Sequence, residues 1–304
     1  MSTQQGGTTT DPQETHDQPA TEGEQLPGPG SGDSVTPRMG DEPDHGESTY
    51  RGSGKLTDRV AVVTGGDSGI GRAVALAFAR EGADVVLAYL EGEDRDGRRT
   101  ADLVEEAGRK AIAVPVDLTS EAACRELVDR TVSEFGRIDI LVNNAAYQMA
   151  QPGGIADITT EQFDRVLKTN LYAMFWLCKL ALPHVPRGGT IINTSSVQAS
   201  SPSPELLDYA TTKAGIVNFT RGLASMVAED GIRVNSVAPG PIWTPLIPAT
   251  MPEGKVDSFG TQTPVGRAGQ PAEVAPAYVF LASGDSSYIT GEVIAVTGGQ
   301  PVTI

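Results

Sequence analysis

The chain has 304 residues, 39% of them hydrophobic, which is enough to bury the core of one large domain. Its formal charge of −16 at pH 7 argues against nucleic acid or an anionic membrane as partner, because phosphates repel such a surface. Two cysteines, Cys124 and Cys178, are too few for a disulfide framework, and each sits in an apolar helical pattern that predicts a buried thiol.

Residues 1–54 are Gly, Pro, Thr, Gln, Asp and Glu with almost no large apolar side chain. Ten acidic residues and one basic residue, Arg38, fall within residues 1–50. Such a segment cannot bury enough surface to offset its ordering entropy, so a disordered acidic tail is expected, ordered only where residues 50–54 meet the domain. The opening MSTQQGG has neither the basic start nor the apolar run of a secretion signal. No stretch reaches the roughly 18 apolar residues of a membrane span, and the cytoplasm is the expected location.

From Lys55 the composition changes, and residues 55–304 read as one domain. Apolar runs of strand length occur at 60–64, 84–88, 111–116, 138–143, 190–194, 232–237 and 293–296. Most are continuously apolar, as strands covered on both faces are. Helical patterns lie between them at 72–81, 97–107, 120–135, 160–182, 209–229 and 271–283. The repeated β-α-β alternation predicts an α/β fold of the Rossmann type, a doubly wound parallel sheet of about seven strands with helices on both faces.

The first strand runs into Gly65-Gly66-Asp67-Ser68-Gly69-Ile70-Gly71, and a helical pattern follows at once. A glycine-rich turn in that place lets the backbone approach a pyrophosphate at the positive end of a helix. Gly65 and Gly69 suit the tight turn and close approach, Gly71 the packing of helix on strand. The turn therefore predicts a dinucleotide site that includes Asp67, Ser68 and Ile70. Further on, Tyr209-Ala-Thr-Thr-Lys213 sets a phenol and an ammonium four residues apart, on one face of a helix. A free phenol, with a pKa of about 10, is a poor base at neutral pH. A cation about 4 Å away, at an effective dielectric of about 20, is worth about 4 kcal/mol and could lower that pKa by about three. The pair is expected to bring Tyr209 into range for proton transfer.

These motifs are shared. The glycine turn has the form TGxxxGIG, Asn143-Asn144-Ala145-Ala146 is close to NNAG, and Tyr209 to Lys213 fits YxxxK. Over residues 55–304 the chain resembles the short-chain dehydrogenase/reductase family, departing from its pattern at Ala146, where the family has Gly. The resemblance implies that Asn144 and Ala145 flank the adenosine side of a nicotinamide cofactor and that Asp117 and Leu118 contact adenine. Pro239, Gly240, Ile242 and Thr244 match the segment beside the nicotinamide. Ser196, thirteen residues before Tyr209, takes the place of the catalytic serine; Ser195 misses that offset by one. Asn170 matches an asparagine that holds a water for proton relay to Lys213.

Carried over, these roles describe hydride transfer between nicotinamide and a substrate carbon. Tyr209 gives or takes the hydroxyl proton, Lys213 tunes it and holds the nicotinamide ribose, and Ser196 orients the carbonyl. No metal is needed, and His16, His45 and His184 have no companion at ligand spacing. The choice between NAD(H) and NADP(H) stays open. Tyr89 stands where an NAD-selecting Asp is expected, and Leu90 where an NADP-selecting Arg often lies.

TGGDSGIGR, Leu206-Leu-Asp-Tyr209 and PGPIWTPL together resemble a bacterial branch with a polar N-terminal extension, akin to glucose/ribitol dehydrogenases and aldehyde reductases. That implies a small aldehyde, ketone or polyol substrate and a homotetramer. Two other readings stay open: reduction of 3-oxoacyl chains on a carrier protein, which uses the same residues, and a non-catalytic cofactor-binding sensor.

Overall fold

The computed structural model describes Thr36, Met39 and residues 41–303. Its strands are β1 (Val60–Thr64), β2 (Asp84–Tyr89), β3 (Ala111–Pro115), β4 (Ile140–Asn143), β5 (Thr190–Thr194), β6 (Arg233–Pro239) and β7 (Val293–Val296). They form one parallel sheet in the order β3-β2-β1-β4-β5-β6-β7. The chain adds strands outward from β1 to β3, then returns to place β4 on the other side of β1. That reversal opens a crevice at the carboxyl ends of β1 and β4, where ligands of such sheets bind.

Helices α1 (Gly69–Arg80), α2 (Asp94–Glu106) and α3 (Glu121–Phe135) follow the first three strands. Next come α4 (Thr160–Leu167), α5 (Ala173–Ala181) and α6 (Leu207–Val227), then the short α7 (Leu246–Thr250) and α8 (Glu253–Val256), and last α9 (Pro271–Ala282). Successive residues of β1 feed two separate cores. Ala61 and Val63 pack with Phe78 of α1 and Tyr278 of α9, while Val62 packs with Leu127 of α3, Leu177 of α5 and Ile216 of α6. Side chains alternate across a strand, so a sheet covered on both faces requires continuous apolar runs. Both cysteines are buried, Cys124 and Cys178 alike, in the second core.

Two expectations need correction. The helix read over 160–182 is interrupted by a π turn, Lys168–Tyr172, between α4 and α5. The wide turn buries Asn170, whose side chain exchanges two bonds with the Tyr147 backbone (2.8 and 3.0 Å) and donates to Thr212 Oγ1 at 3.0 Å. Such turns are frequent at functional sites.

The second correction concerns the boundary at residue 54. Residues 1–35 of the expected tail lie outside the described residues, but 41–54 run across α1 and the start of α9 as a packed strap. Arg80 donates to the carbonyls of Gly46, Glu47 and Tyr50 at 2.6–2.7 Å. The Tyr50 hydroxyl donates to Glu81 at 2.6 Å, and Asp44 exchanges bonds with Gln270 and the Ala272 N–H, each 3.0 Å. A half-buried guanidinium fork holds this segment by its backbone, so it needs few apolar side chains of its own.

Candidate active site

The functional side chains stand at the carboxyl ends of the central strands, around one cleft of about 980 Å³. Its walls include Gly65, Asp67, Ser68, Gly69 and Ile70 after β1, and Tyr89 and Leu90 at the end of β2. Asp117 and Leu118 follow β3, and Asn144 and Ala145 follow β4. Ser196, Tyr209 and Lys213 stand together in the middle, with Pro239, Gly240, Ile242 and Thr244 beyond β6. Gly71 and Asn170 are not on the wall, and each supports it from behind.

Gly71 shows why the turn is spelled as it is. A Cβ there would lie 1.8 Å from the Gly65 carbonyl oxygen, so α1 could not start this close to β1 with any other residue. Gly69 has φ +49, and a Cβ on it would come within 3.1 Å of Thr244. The turn therefore presents bare backbone to the cleft. Asn144 ties it to β4, donating from Nδ2 to the carbonyls of Thr64 and Gly65 at 3.0 and 3.2 Å.

The structure separates the two neighbouring serines. Ser195 donates to the Val237 carbonyl at 3.1 Å and accepts from Ser236 Oγ at 2.7 Å, so it belongs to the β5–β6 seam. Ser196 Oγ accepts the Gln198 N–H at 3.1 Å and lies in hydrogen-bonding range of the Tyr209 phenol. Lys213 is 2% exposed, and its Nζ donates to the Thr194 carbonyl at 2.8 Å.

This last bond changes the expected electrostatics. Lys213 Nζ lies 5.2 Å from the centre of the Tyr209 ring and is held by a carbonyl, not by the phenol oxygen. Burial pushes Tyr209 up to about 12, with the Ser196 hydroxyl working against it. Burial also pushes Lys213 down to about 7. The lowering of the phenol expected from the YxxxK spacing is therefore not found here, because desolvation outweighs the charge of a lysine that is itself part-neutral at pH 7. The water relay expected of Asn170 also finds its side chain committed elsewhere, to Tyr147 and Thr212.

A family model described as enoyl-(acyl carrier protein) reductase matches residues 65–300. An uncharacterized oxidoreductase of Escherichia coli K12, YghA, is 54% identical over 278 residues, covering 91% of this chain and 93% of that protein. The solved short chain dehydrogenase of Burkholderia cenocepacia J2315, in complex with NADP, superposes with a TM-score of 0.75 at 33% identity, over 81% of this chain and 98% of that one. The chain belongs to the short-chain dehydrogenase/reductase family. An NADPH-dependent aldehyde reductase of Arabidopsis thaliana is a further relative, 49% identical over 270 residues, covering 87% of this chain and 93% of its own.

Within this short-chain dehydrogenase/reductase, several groups carry no signal that a sequence reading picked up. Arg72 is buried under the glycine turn, ion-paired to Asp96 at 2.8 Å and donating to the Asp67 carbonyl at 2.9 Å. Glu93 approaches the Asp67 carboxyl at the β2 end of the cleft, and burial followed by the Asp67 charge pushes it up to about 8. The same burial raises Asp67. Tyr89, read only as a missing Asp, packs its ring on Gly97 and donates to Asp94 at 3.2 Å. Gln148 donates to Thr250 at 2.9 Å and so ties the loop after β4 to α7. An arginine inside an apolar helix was the one available hint; Glu93 and Asp67, and Gln148 and Thr250, are far apart in sequence.

Proposed function

We propose that this chain is an NAD(P)(H)-dependent oxidoreductase that interconverts a small aldehyde or ketone with the corresponding alcohol or polyol. The observation that carries the reading is Ser196, Tyr209 and Lys213 meeting in one cleft beside the bare backbone of the glycine turn. That backbone, with no side chain between it and Thr244, fits a pyrophosphate. Gly65, Asp67, Ser68, Gly69 and Ile70 would hold it. Tyr89, Leu90, Asp117, Leu118, Asn144 and Ala145 would take the adenosine half, and Lys213, Pro239, Gly240, Ile242 and Thr244 the nicotinamide half.

The bound nicotinamide supplies or accepts the hydride. The chain's own part is to manage the proton and the carbonyl oxygen. A phenol pushed up to about 12 is protonated at neutral pH, the form that donates a proton to a carbonyl oxygen as it is reduced. Ser196 faces that phenol and hydrogen-bonds the same oxygen as charge develops on it. Lys213, half-charged near pH 7, re-supplies protons from behind Tyr209. Asn170 acts as a positioning residue through Tyr147 and Thr212.

Aldehyde reduction is the arm best supported, by the relative of that activity in Arabidopsis thaliana. The decisive experiment follows nicotinamide absorbance over a panel of small aldehydes, ketones and polyols. Tyr209→Phe is expected to lower kcat by roughly 10²–10⁴ with cofactor binding retained. Full turnover by the variant would refute the assignment. Reduction of acyl chains on a carrier protein uses the same groups, but a net charge of −16 opposes an acidic carrier. A non-catalytic sensor would bind cofactor and turn over nothing on the panel.

We also propose a homotetramer. Phe163 of α4, Tyr172 of the π turn, Phe175 of α5 and Met226 of α6 are 40–78% exposed, an apolar surface that a second copy would cover.

A further inference from the structure

Thr36 and Met39 reach the site from the N-terminal side of the strap. Met39 is 5% exposed and packs with Trp243, Ile247, Val256 and Ala268 beside the cleft. Trp243 Nε1 donates to the Asp41 carbonyl at 3.1 Å, so the strap and the loop after β6 hold each other. The neighbours of Trp243 in sequence, Ile242 and Thr244, line the cleft, as does Ile247. Thr36 itself lines the cleft and is 3% exposed. Its Oγ1 is buried with no hydrogen-bond partner among the described residues.

A buried hydroxyl is costly to leave unpaired, and native structures rarely do so. Here the residue that carries the hydroxyl lines the active-site cleft. We propose that Thr36 and Met39 are working parts of the active site, in which Thr36 binds an oxygen of the ligand and Met39 positions the Trp243 loop. The ligand atom is a hydroxyl or phosphate oxygen, since a threonine hydroxyl both donates to and accepts from such groups. Two sources carry that chemistry: the sugar–phosphate chain of the dinucleotide and the hydroxyl of a polyhydroxylated substrate. The inference rests on the reading of this cleft as a cofactor and carbonyl site.

The test uses the full chain and three variants: Thr36→Val, which keeps the shape and removes the hydroxyl, Thr36→Ser, which restores it, and Met39→Ala. Dissociation constants of NADH and NADPH are read by nicotinamide fluorescence. KM and kcat are read for glyceraldehyde, which carries hydroxyls, and propanal, which does not. Thr36→Val is expected to weaken one ligand roughly tenfold, with Thr36→Ser close to the parent. A weakened cofactor with an unchanged glyceraldehyde-to-propanal ratio identifies the dinucleotide. A raised KM for glyceraldehyde alone identifies the substrate hydroxyl. Met39→Ala is expected to raise the same constant several-fold at little change in kcat.

Unchanged constants in Thr36→Val overturn the proposal, and so does a fall in thermal stability with no change in any constant. A parent that binds cofactor yet turns over neither aldehyde sinks the proposed activity, while the cofactor constants still judge Thr36. A parent that binds neither cofactor nor aldehyde overturns both.

Discussion

Burial acts on Tyr209 and Lys213 in opposite senses, raising one pKa to about 12 and lowering the other to about 7. It acts in the same way on Glu93, whose carboxyl is pushed up from 4.5 to about 8 next to Asp67. The consequence for stability has a definite sign. Between those two values the folded chain keeps a proton that the unfolded chain has released, so stability falls as pH rises from 4.5 to about 8 and then levels off. The slope from this one group is at most about 1.4 kcal/mol per pH unit. Glu93→Gln removes the titration. Its melting temperature is expected to gain on the parent's from pH 5 to pH 8, by several degrees, and to run parallel above that. A constant difference across the whole range would show that Glu93 is not held protonated. The contribution of Lys213 runs the other way above pH 7, and comparing the two proteins cancels it.

At the scale of elements, the turn between β1 and α1 depends on an absent side chain. A Cβ on Gly71 would meet the Gly65 carbonyl oxygen at 1.8 Å, and neither atom belongs to a flexible group. Gly71→Ala must therefore move the start of α1 away from β1, and with it the backbone that faces the cleft. Titration with NADPH is expected to show at least tenfold weaker binding together with a lowered melting temperature. Retained affinity would mean that the turn does not hold the cofactor. The π turn is the complementary case, since its deviation from regular helix serves a side chain. Helical periodicity was read correctly on either side of Lys168–Tyr172, but the wide turn follows from Asn170 bonding residues 23 and 42 positions away.

For the whole molecule, the apolar side chains exposed outside the cores are the surface on which the proposed tetramer is tested. Phe175 is 45% exposed on α5 and Met226 78% exposed on α6, large areas for single side chains at a water-facing surface. A charge placed there costs nothing in an isolated chain and is costly in a buried interface. If the proposed tetramer forms, Phe175→Asp is expected to leave the far-UV dichroism unchanged and to yield smaller species, as read by light scattering coupled to size exclusion. A parent that elutes as a single chain would exclude the assembly.

Local rules made most of the architecture legible. A strand covered on both faces must be apolar throughout, a helix start packed on a strand must be Gly71, and a Tyr and Lys sharing a helix face must lie four apart. Each is a constraint between near neighbours in the chain, so it leaves a pattern in the sequence. The tertiary structure alone decided which partner each group meets. It put Ser195 into the β5–β6 seam and Ser196 against Tyr209, turned Lys213 toward the Thr194 carbonyl, and set Glu93 against Asp67. It also converted part of an apparently featureless tail into a strap, because Arg80 grips backbone carbonyls that every residue possesses. A hydrogen bond to a carbonyl selects no side chain at the acceptor, so the contacts of Arg80 leave no mark on residues 46–50, and the side-chain partner they do have, Tyr50 to Glu81, lies 31 positions away.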